Sequence, residues 1–305
     1  MSEAEGGPAH RVSRALHNAR LTLAAASADD IVILTDKHGL SGSFVGMMAG
    51  RNQHRPTVVR TDALFAWPDG VVRRTLKRTY IRAAMAAVDA MVVWAPDTID
   101  RYHAAFGLPR EQFVVVPFHH TLTGFEASDT TRARYLFSGG DSARDYPTLL
   151  RAVDGLDIDV VIATRLKLPS VGVPKNVTIK PTSRVEFRKL MAGAEFVVFP
   201  LKMQGLRTSG QQSYLNAMAM AKAVIVTDTR DAPYYIEDGR TGMLTPPGDV
   251  RLLRDAIKTL LGSRERIVML GEAGREAARP LDQEYTWSRI LAVARRAHEA
   301  RLAQR

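Results

Sequence analysis

The residues best suited to chemistry stand in one short turn, Arg-Thr-Ser-Gly-Gln-Gln at positions 207–212. The turn comes directly before a pattern in which Leu215, Met218 and Ala219 recur at helical spacing. A threonine or serine there can cap the helix, and Gly210 lets a bound group approach the backbone. The free N–H groups and the positive end of the helix dipole then attract an anion, and a diphosphate suits the turn. The alternative is an ordinary capped helix that binds nothing.

Two apolar runs flank this helix and predict buried strands. Residues 196–200 and 223–227 are too short for buried helices and are rich in β-branched and aromatic side chains. Strand, helix and strand form a βαβ unit, whose crossover should be right-handed. The same alternation runs through the whole chain, with further strands predicted at 31–35, 57–61, 91–94, 113–116, 135–137, 159–163 and 177–179. The turn therefore lies at the carboxyl end of a strand, where α/β proteins bind their ligands.

The composition indicates a globular protein with more than one core. The 305 residues, 46% of them hydrophobic, suffice for two domains, which we expect over residues 1–128 and 129–305. No apolar stretch approaches the roughly 20 residues that span a bilayer, and the N-terminus lacks the pattern of a secretory signal. The absence of cysteine excludes disulfides, thiolate metal sites and cysteine nucleophiles, and it fits a cytoplasmic protein.

The formal charge of +10 predicts attraction to a polyanion: nucleic acid, an anionic membrane surface or a phosphorylated small molecule. The alternative is an arginine bias spread evenly over the surface. One predicted helix, residues 71–88, is basic on one side, and Trp67 precedes it. The proposed polyanion-binding residues are that tryptophan and four basic residues of the helix: Trp67, Arg73, Arg74, Lys77 and Arg78. Its other side should face the core, with Leu76, Tyr80, Ile81, Ala84 and Met85.

Five segments of the second half resemble, in order, the donor-binding domain of family 4 glycosyltransferases. They read FSGGDSARDYPTLLRAV, VEFRKLMAGAEFVVFPL, SYLNAMAMAKAVIVTD, YYIEDGRTGMLTPPGD and LLRDAIKTLL. The resemblance implies an α/β fold of the GT-B class: two Rossmann-like domains facing each other across a cleft, the N-terminal acceptor-side domain being truncated here. Family members are generally retaining, take a nucleotide diphosphate sugar as co-substrate, and need no bound metal or other cofactor.

The same resemblance implies roles for individual residues. Arg144 stands where the family places a basic residue on the donor diphosphate, work that suits a forked, permanently charged guanidinium. A surface pair with Asp145 is the alternative. The loop before it lies beneath the diphosphate, and residues 182–184 lie beside the nucleobase. The predicted donor-binding residues are Gly139, Gly140, Arg144, Arg165, Thr182, Ser183, Arg184, Thr208, Ser209, Gly210, Gln211, Gln212 and Asn216.

The chain departs from the family pattern at two positions that usually carry glutamates, one touching the transferred sugar and the other the ribose. Thr208 and Asn216 stand there, and both can hydrogen-bond without carrying charge. Ala221 replaces a usual glycine. The first half is also short, and its strand at 31–35 most resembles the fourth strand of the family's N-terminal domain. The usual donor contacts should therefore be altered or weakened.

In the family, a histidine or acidic residue after an N-domain strand often reaches the cleft. The candidates for catalysis here are Asp36, His38 and Asp62, at the carboxyl ends of their strands, and His119 at the domain junction. A structural role is the alternative for each. Retaining transfer asks little of a protein base, since the leaving phosphate can take the acceptor proton. The protein must supply diphosphate stabilisation and positioning.

Two functions compete. The first is transfer of a sugar to a hydroxyl of a polyanionic acceptor, with a modified DNA base favoured over an anionic lipid or lipid-linked sugar because a large acceptor can complete the wall of a short domain. This predicts a cytoplasmic protein, peripheral at the membrane in the lipid case. The second is a non-catalytic sugar-nucleotide-binding partner of an active transferase. The lost glutamates motivate it, and the retained Arg144 and turn at 208–212 oppose it.

Overall fold

The computed structural model describes residues 8–27, 29–35, 40–49, 55–61, 69–122, 134–168, 172–203, 206 and 209–304. The chain divides into two compact units. One consists of residues 1–117, 205–207 and 287–305, and the other of residues 118–204 and 208–286. The domain boundary predicted at residue 128 lies outside the described residues and stays a prediction. Residues 287–305, which the sequence assigned to the second domain, group with the first unit.

The first unit is built around a parallel sheet. Its elements in chain order are α1 (Pro8–Ala25), β1 (Ile31–Leu34), α2 (Leu40–Ala49), β2 (Thr57–Thr61), α3 (Val71–Met85), β3 (Ala90–Val93), α4 (Asp97–Phe106) and β4 (Phe113–Val115). Among the described residues the sheet has four strands in the order β1-β2-β3-β4. Because consecutive strands are neighbours and their crossovers are right-handed, α2, α3 and α4 lie on one face of the sheet.

The second unit has a larger parallel sheet. Its elements are β5 (Tyr135–Gly139), α5 (Tyr146–Val153), β6 (Asp159–Ala163), β7 (Val177–Lys180), α6 (Arg184–Gly193), β8 (Phe196–Phe199), α7 (Gln211–Ala219), β9 (Val224–Thr227), β10 (Met243–Thr245), α8 (Val250–Leu261), α9 (Arg264–Ala278) and the start of α10 (Gln283–Leu302). Within the described ranges the strand order is β10-β9-β8-β5-β6-β7. After β5 the chain adds β6 and β7 on one side of that strand and then returns to add β8 on its other side. The direction in which strands are added therefore reverses between β5 and β8.

The burial of the β8 side chains shows that this sheet is covered on both faces. Phe196 and Val198 belong to one buried cluster, and Val197 and Phe199 belong to another. Alternate residues of a strand point to opposite faces, so all four side chains are fully buried. Burying a large apolar side chain is worth about 1.5–3 kcal/mol, which makes this strand a main source of the unit's stability.

This architecture confirms the predicted α/β class with parallel sheets. The βαβ unit predicted from the two apolar runs is formed by β8, α7 and β9. Within the described ranges, no helix combines the length and the apolar character needed to cross a membrane.

Candidate functional site

The reversal of strand order between β5 and β8 marks the candidate site. In open parallel sheets, ligands bind beyond the carboxyl ends of the strands at such a switch point. The loop after β5 and the loop between β8 and α7 both begin at this edge. Backbone hydrogen bonds join them: Lys202 N donates to Ala143 O over 2.8 Å, and Asp145 N donates to Pro200 O over 2.9 Å.

Gly139 ends β5 and Gly140 begins the loop after it, and both glycines are required by close packing. A Cβ on Gly139 would lie 2.4 Å from the Phe187 ring. Gly140 has a φ of 107°, and its Cβ would lie 2.6 Å from the Arg144 guanidinium. Side chains are therefore excluded at both positions. The loop is therefore tightly packed, and its predicted contact with a diphosphate stays a prediction.

Arg144 holds this loop together from inside. Its Nε donates to Gly139 O over 2.8 Å, one terminal nitrogen donates to Ser142 O over 2.9 Å, and the other donates to Ser213 Oγ over 2.8 Å. The side chain is buried, with the guanidinium 5.7 Å from the centre of the Phe199 ring. Burial lowers the pKa of the group, although a guanidinium stays charged at any working pH.

This placement gives Arg144 a positioning role, because it connects the β5 loop to Ser213 in the first turn of α7. The predicted alternative, a surface pair with Asp145, is wrong, since the guanidinium points inward. A direct contact between Arg144 and a diphosphate stays a prediction.

Helix α7 has a glycine at its N-cap, a residue with no side chain to cap the helix. Gly210 occupies the N-cap position with a φ of 117°, and its Cβ would lie 3.0 Å from both methyl groups of Leu201. Ser209, which the sequence offered as a cap, instead donates its hydroxyl to Ser142 O over 3.4 Å. Gln211 is buried, and Nε2 of its side chain lies 3.3 Å from Asp231 Oδ2, whereas Gln212 is exposed. The first turn thus presents the positive end of the helix dipole to an anion.

Asp141 organises the other side of the β5 loop. Its Oδ1 accepts from Thr164 Oγ1 and from Arg165 N, each over 2.8 Å, and its Oδ2 accepts from Arg165 Nε over 2.8 Å. Burial is the largest effect and raises the pKa of Asp141, but the hydrogen bonds from Arg165 and Thr164 together outweigh it and lower the pKa. The predicted donor-binding residue Arg165 is therefore paired with a carboxylate, and its side chain is exposed.

Sequence reasoning missed several members of this network. They are Asp141, Tyr146, Thr164 and Ser213. The hydroxyl of Tyr146 donates to Gly140 O over 2.6 Å, and burial raises its pKa to about 12. Asp141 follows the glycine pair directly and Thr164 follows β6, so both were available as polar residues at strand ends.

Residues 182–184, predicted beside the nucleobase, follow β7 at the same edge of the sheet. Ser183 Oγ accepts from Glu186 N over 3.2 Å, which makes it the N-cap of α6. Arg184 is exposed and Thr182 is half-buried. The structure thus brings this group to the carboxyl edge that holds the switch point.

The side chain of Asn216 is hydrogen-bonded to Thr121, a residue far away in the sequence. Its Oδ1 accepts from Thr121 N over 2.7 Å, and its Nδ2 donates to Thr121 Oγ1 over 3.2 Å. Arg188 adds a hydrogen bond of 3.0 Å to Thr121 O, and Tyr235 OH accepts from Phe118 N over 3.0 Å. Asn216 therefore anchors the segment of residues 118–122, and its contact with a donor stays a prediction.

His119 lies in this anchored segment, stacked on Phe118 with ring centres 4.8 Å apart. Its Nδ1 is buried and has no hydrogen-bond partner among the described residues. Burial lowers the pKa of His119, the neighbouring His120 adds to that effect, and Asp282 opposes it. The imidazole is neutral at physiological pH. The catalytic candidates Asp36, His38 and Asp62, the aromatic Trp67 and the donor-site candidate Thr208 lie outside the described residues.

The predicted basic residues Arg73, Arg74, Lys77 and Arg78 belong to α3 of the first unit, whereas the switch point belongs to the second. Arg73, Arg74 and Arg78 are exposed. The ammonium of Lys77 lies 5.2 Å from the centre of the Tyr80 ring, and burial lowers its pKa. Within the described residues, no three His, Cys, Asp or Glu side chains come together in a metal-binding group.

Comparison with known proteins identifies the second unit. Residues 143–263 match the family described as Glycosyl transferases group 1. Over 117 residues the chain is 31% identical to alpha-maltose-1-phosphate synthase of Mycolicibacterium smegmatis. That match covers 36% of this chain and 28% of the relative, so the chain matches little more than a quarter of the relative's length.

Solved structures resemble the chain over nearly its whole length. A glycosyltransferase from Rickettsia africae has a TM-score of 0.70 at 13% identity, with 97% of this chain and 84% of that chain covered. Anabaena HepE in complex with UDP has a TM-score of 0.69 at 13% identity, covering 96% and 82%. Sucrose-phosphate synthase from Thermosynechococcus elongatus has a TM-score of 0.64 at 16% identity, covering 90% and 74%. These likenesses confirm the predicted GT-B fold, and the assignment to family 4 stays a prediction.

Proposed function

We propose that this chain, whose residues 143–263 match the Glycosyl transferases group 1 family, transfers a sugar from a nucleotide diphosphate sugar to an acceptor hydroxyl. The observation that carries the proposal is the N-terminus of α7, which begins at the switch point beside the loop that Arg144 holds. An anion is favoured there by the positive end of the helix dipole. A donor diphosphate supplies that anion.

The proposed chemistry asks the protein to stabilise a leaving group. The bond between the sugar C1 and the diphosphate oxygen breaks, and the acceptor oxygen bonds to C1 on the same face, as in retaining transferases. The acceptor proton passes to the leaving phosphate. The N-terminus of α7 then stabilises the charge that develops on the diphosphate, and the hydrogen bonds of Arg144 keep its geometry fixed in advance. No metal or other cofactor enters this scheme.

The donor nucleotide has an obvious first candidate, because HepE has been solved with UDP, with UDP-glucose, and with UDP and glucose. The uridine would lie toward β6 and β7, where residues 182–184 stand at the carboxyl edge. The acceptor in this proposal is polyanionic, in keeping with the charge of +10. A hydroxyl on a modified DNA base and one on an anionic lipid or lipid-linked sugar are the two classes.

A second candidate function is a sugar-nucleotide-binding partner without activity of its own. One observation favours it: Asn216, which stands at a family glutamate position, is fully engaged with Thr121. Binding and turnover separate the two candidates, because the partner binds the donor and does not transfer the sugar.

The test begins with a thermal-shift panel of UDP, UDP-glucose and other nucleotide sugars, followed by turnover with a labelled donor. A ligand at a hundred times its Kd stabilises the folded state by about 2.7 kcal/mol, which raises Tm measurably. The site variant is Gly210→Ala, which strains a φ of 117° and displaces the first turn of α7 against Leu201. Gly155→Ala is the matched control, because it strains a φ of 68° with nothing within 4 Å.

We expect the donor to stabilise the parent and Gly155→Ala, with Gly210→Ala losing the shift. Donor-induced stabilisation without turnover favours the binding partner. An equal shift in all three proteins overturns the site, and no shift with any nucleotide sugar overturns both functions.

A further inference from the structure

Helix α3 exposes an aliphatic stripe that folding does not use. Val71, Val72 and Leu76 are 80%, 73% and 66% exposed, although large aliphatic side chains are normally buried. The buried residues of this helix, Ile81, Ala84 and Met85, all lie in its second half. The prediction that Leu76 faces the core is therefore wrong: the first two turns extend beyond the part of the helix that packs on the sheet.

The stripe points directly away from the core. At 3.6 residues per turn, Val72, Thr75, Leu76 and Thr79 share the side opposite Ile81, Ala84 and Met85. The two threonines turn their hydroxyls back onto the helix, since Thr75 Oγ1 donates to Val71 O over 3.0 Å and Thr79 Oγ1 donates to Thr75 O over 3.1 Å. Their methyl groups therefore complete an outward surface that is aliphatic and uncharged.

The charged side chains in the sequences of α1, α2 and α3 are all of one sign. Helix α1 packs on α2, and α2 packs on α3. The sequence of α1 contains three arginines, that of α3 contains five basic residues, and none of the three helices contains an aspartate or glutamate. Arg74 lies 4.0 Å from Asp69 in an exposed pair, which contributes little. These three helices thus carry most of the chain's net charge of +10.

We propose that α3, with α1 and α2 beside it, docks on an anionic membrane surface. The aliphatic stripe enters the interface, while the exposed Arg73 on one flank of it and Arg82 on the other reach the lipid phosphates. An exposed apolar stripe flanked by cations is the pattern of interfacial helices. Duplex DNA would attract the same cations, but its outer surface is phosphate and sugar, which leaves the aliphatic side chains without a partner. The observations therefore favour lipid over nucleic acid, the reverse of the preference drawn from the short first domain.

The docking surface lies near the edge where α/β ligands gather. Helix α3 follows β2, so its first turn stands toward the carboxyl ends of the strands in the first unit. Docking by itself goes beyond the proposed function, since it needs neither donor nor transfer. Joined to the proposed function, on which this step rests, it assigns the acceptor hydroxyl to a molecule held at the membrane.

The test is sedimentation of the full chain with vesicles of phosphatidylcholine, with and without phosphatidylglycerol, at low and physiological salt. Val72→Ser/Leu76→Ser removes the stripe, and Arg73→Gln/Arg82→Gln removes the flanking charge. Val185→Ser/Met269→Ser is the matched control, because these side chains are 64% and 57% exposed on other helices. Circular dichroism confirms that each variant is folded.

We expect the parent and the control to bind anionic vesicles and not neutral ones. Each aliphatic side chain that enters the interface should contribute about tenfold to binding, as its burial implies. Each basic residue should contribute about fivefold, and its loss should weaken the dependence on salt. Because vesicle binding is measured without donor, it can fail or succeed whatever the labelled-donor assay shows.

Three results would overturn the proposal. One is a parent that does not sediment with anionic vesicles. Another is a stripe variant that sediments like the parent, with duplex DNA retained equally by both, which would indicate a nucleic-acid surface. The third is a dimer, seen by light scattering, that the stripe variant dissociates while no protein sediments, which would indicate that a second copy covers the stripe.

Discussion

The loop of residues 139–145 and the first half of α3 are built in opposite ways. In the loop, a buried arginine, two glycines without room for a Cβ and a paired aspartate leave little freedom of movement. In α3, aliphatic and basic side chains stand exposed over two full turns. The first region resembles a site fixed before its ligand arrives, which is what electrostatic stabilisation of a leaving group requires. The second keeps its groups available for a surface.

This comparison predicts the largest effect at Arg144. Arg144→Ala leaves Gly139 O and Ser142 O without their donor inside the protein, so the free energy of unfolding should fall by about 3 kcal/mol. Arg165→Ala is the control: its side chain is 80% exposed, and its ion pair should contribute less than about 1 kcal/mol. Urea unfolding of both variants measures the difference.

Arg144→Lys separates positioning from direct contact. Lysine keeps the charge but cannot reach three acceptors at once. If Arg144 acts by positioning, Arg144→Lys should lose donor binding by calorimetry, as Arg144→Ala does, by about 1.5–3 kcal/mol. Donor affinity kept in Arg144→Lys would instead support a direct charge contact with the diphosphate.

The second effect, somewhat smaller, concerns Asn216. Asn216→Leu removes two hydrogen bonds and leaves Thr121 N unpaired by that side chain, so unfolding should become easier by about 1–3 kcal/mol. Thr121→Val keeps the backbone N–H and should cost less. Asn216→Glu should change the relative rates with different nucleotide sugars if the residue also lines the donor site. Unchanged urea unfolding in Asn216→Leu would contradict the anchoring role.

The third effect is a pH dependence at His119. Its folded pKa is lowered below the ordinary value of 6.5, so the unfolded chain binds the proton more readily. Stability should therefore fall as pH drops below about 6.5 and level off below the folded pKa. His119→Gln should lose less stability than the parent between pH 7.5 and 5.5 in urea unfolding. The same pH response in both proteins would assign the dependence to other groups.

The strands were predictable because short apolar runs such as 196–199 allow few alternatives. The switch point was not, because strand order depends on pairing between distant segments. Asn216 illustrates the same limit, since its partner Thr121 lies 95 residues away. At the start of α7, the sequence offered Thr208 or Ser209 as the cap; Gly210 occupies the N-cap position, and the Ser209 hydroxyl donates to Ser142 O instead. Leu76 shows that helical spacing alone does not reveal where a helix leaves the body of the protein.

The smallest predicted effect completes the contrast between the two regions. Val72→Ser/Leu76→Ser should change the free energy of unfolding by no more than about 0.5 kcal/mol, because exposed positions away from packing seldom affect stability. Ile81→Ser, on the fully buried side of the same helix, should cost several times more, since it removes buried apolar surface and introduces a hydroxyl. Urea unfolding of the two variants compares them directly. A large loss in the double variant would mean that the stripe supports the fold, and its exposure would then say nothing about a membrane.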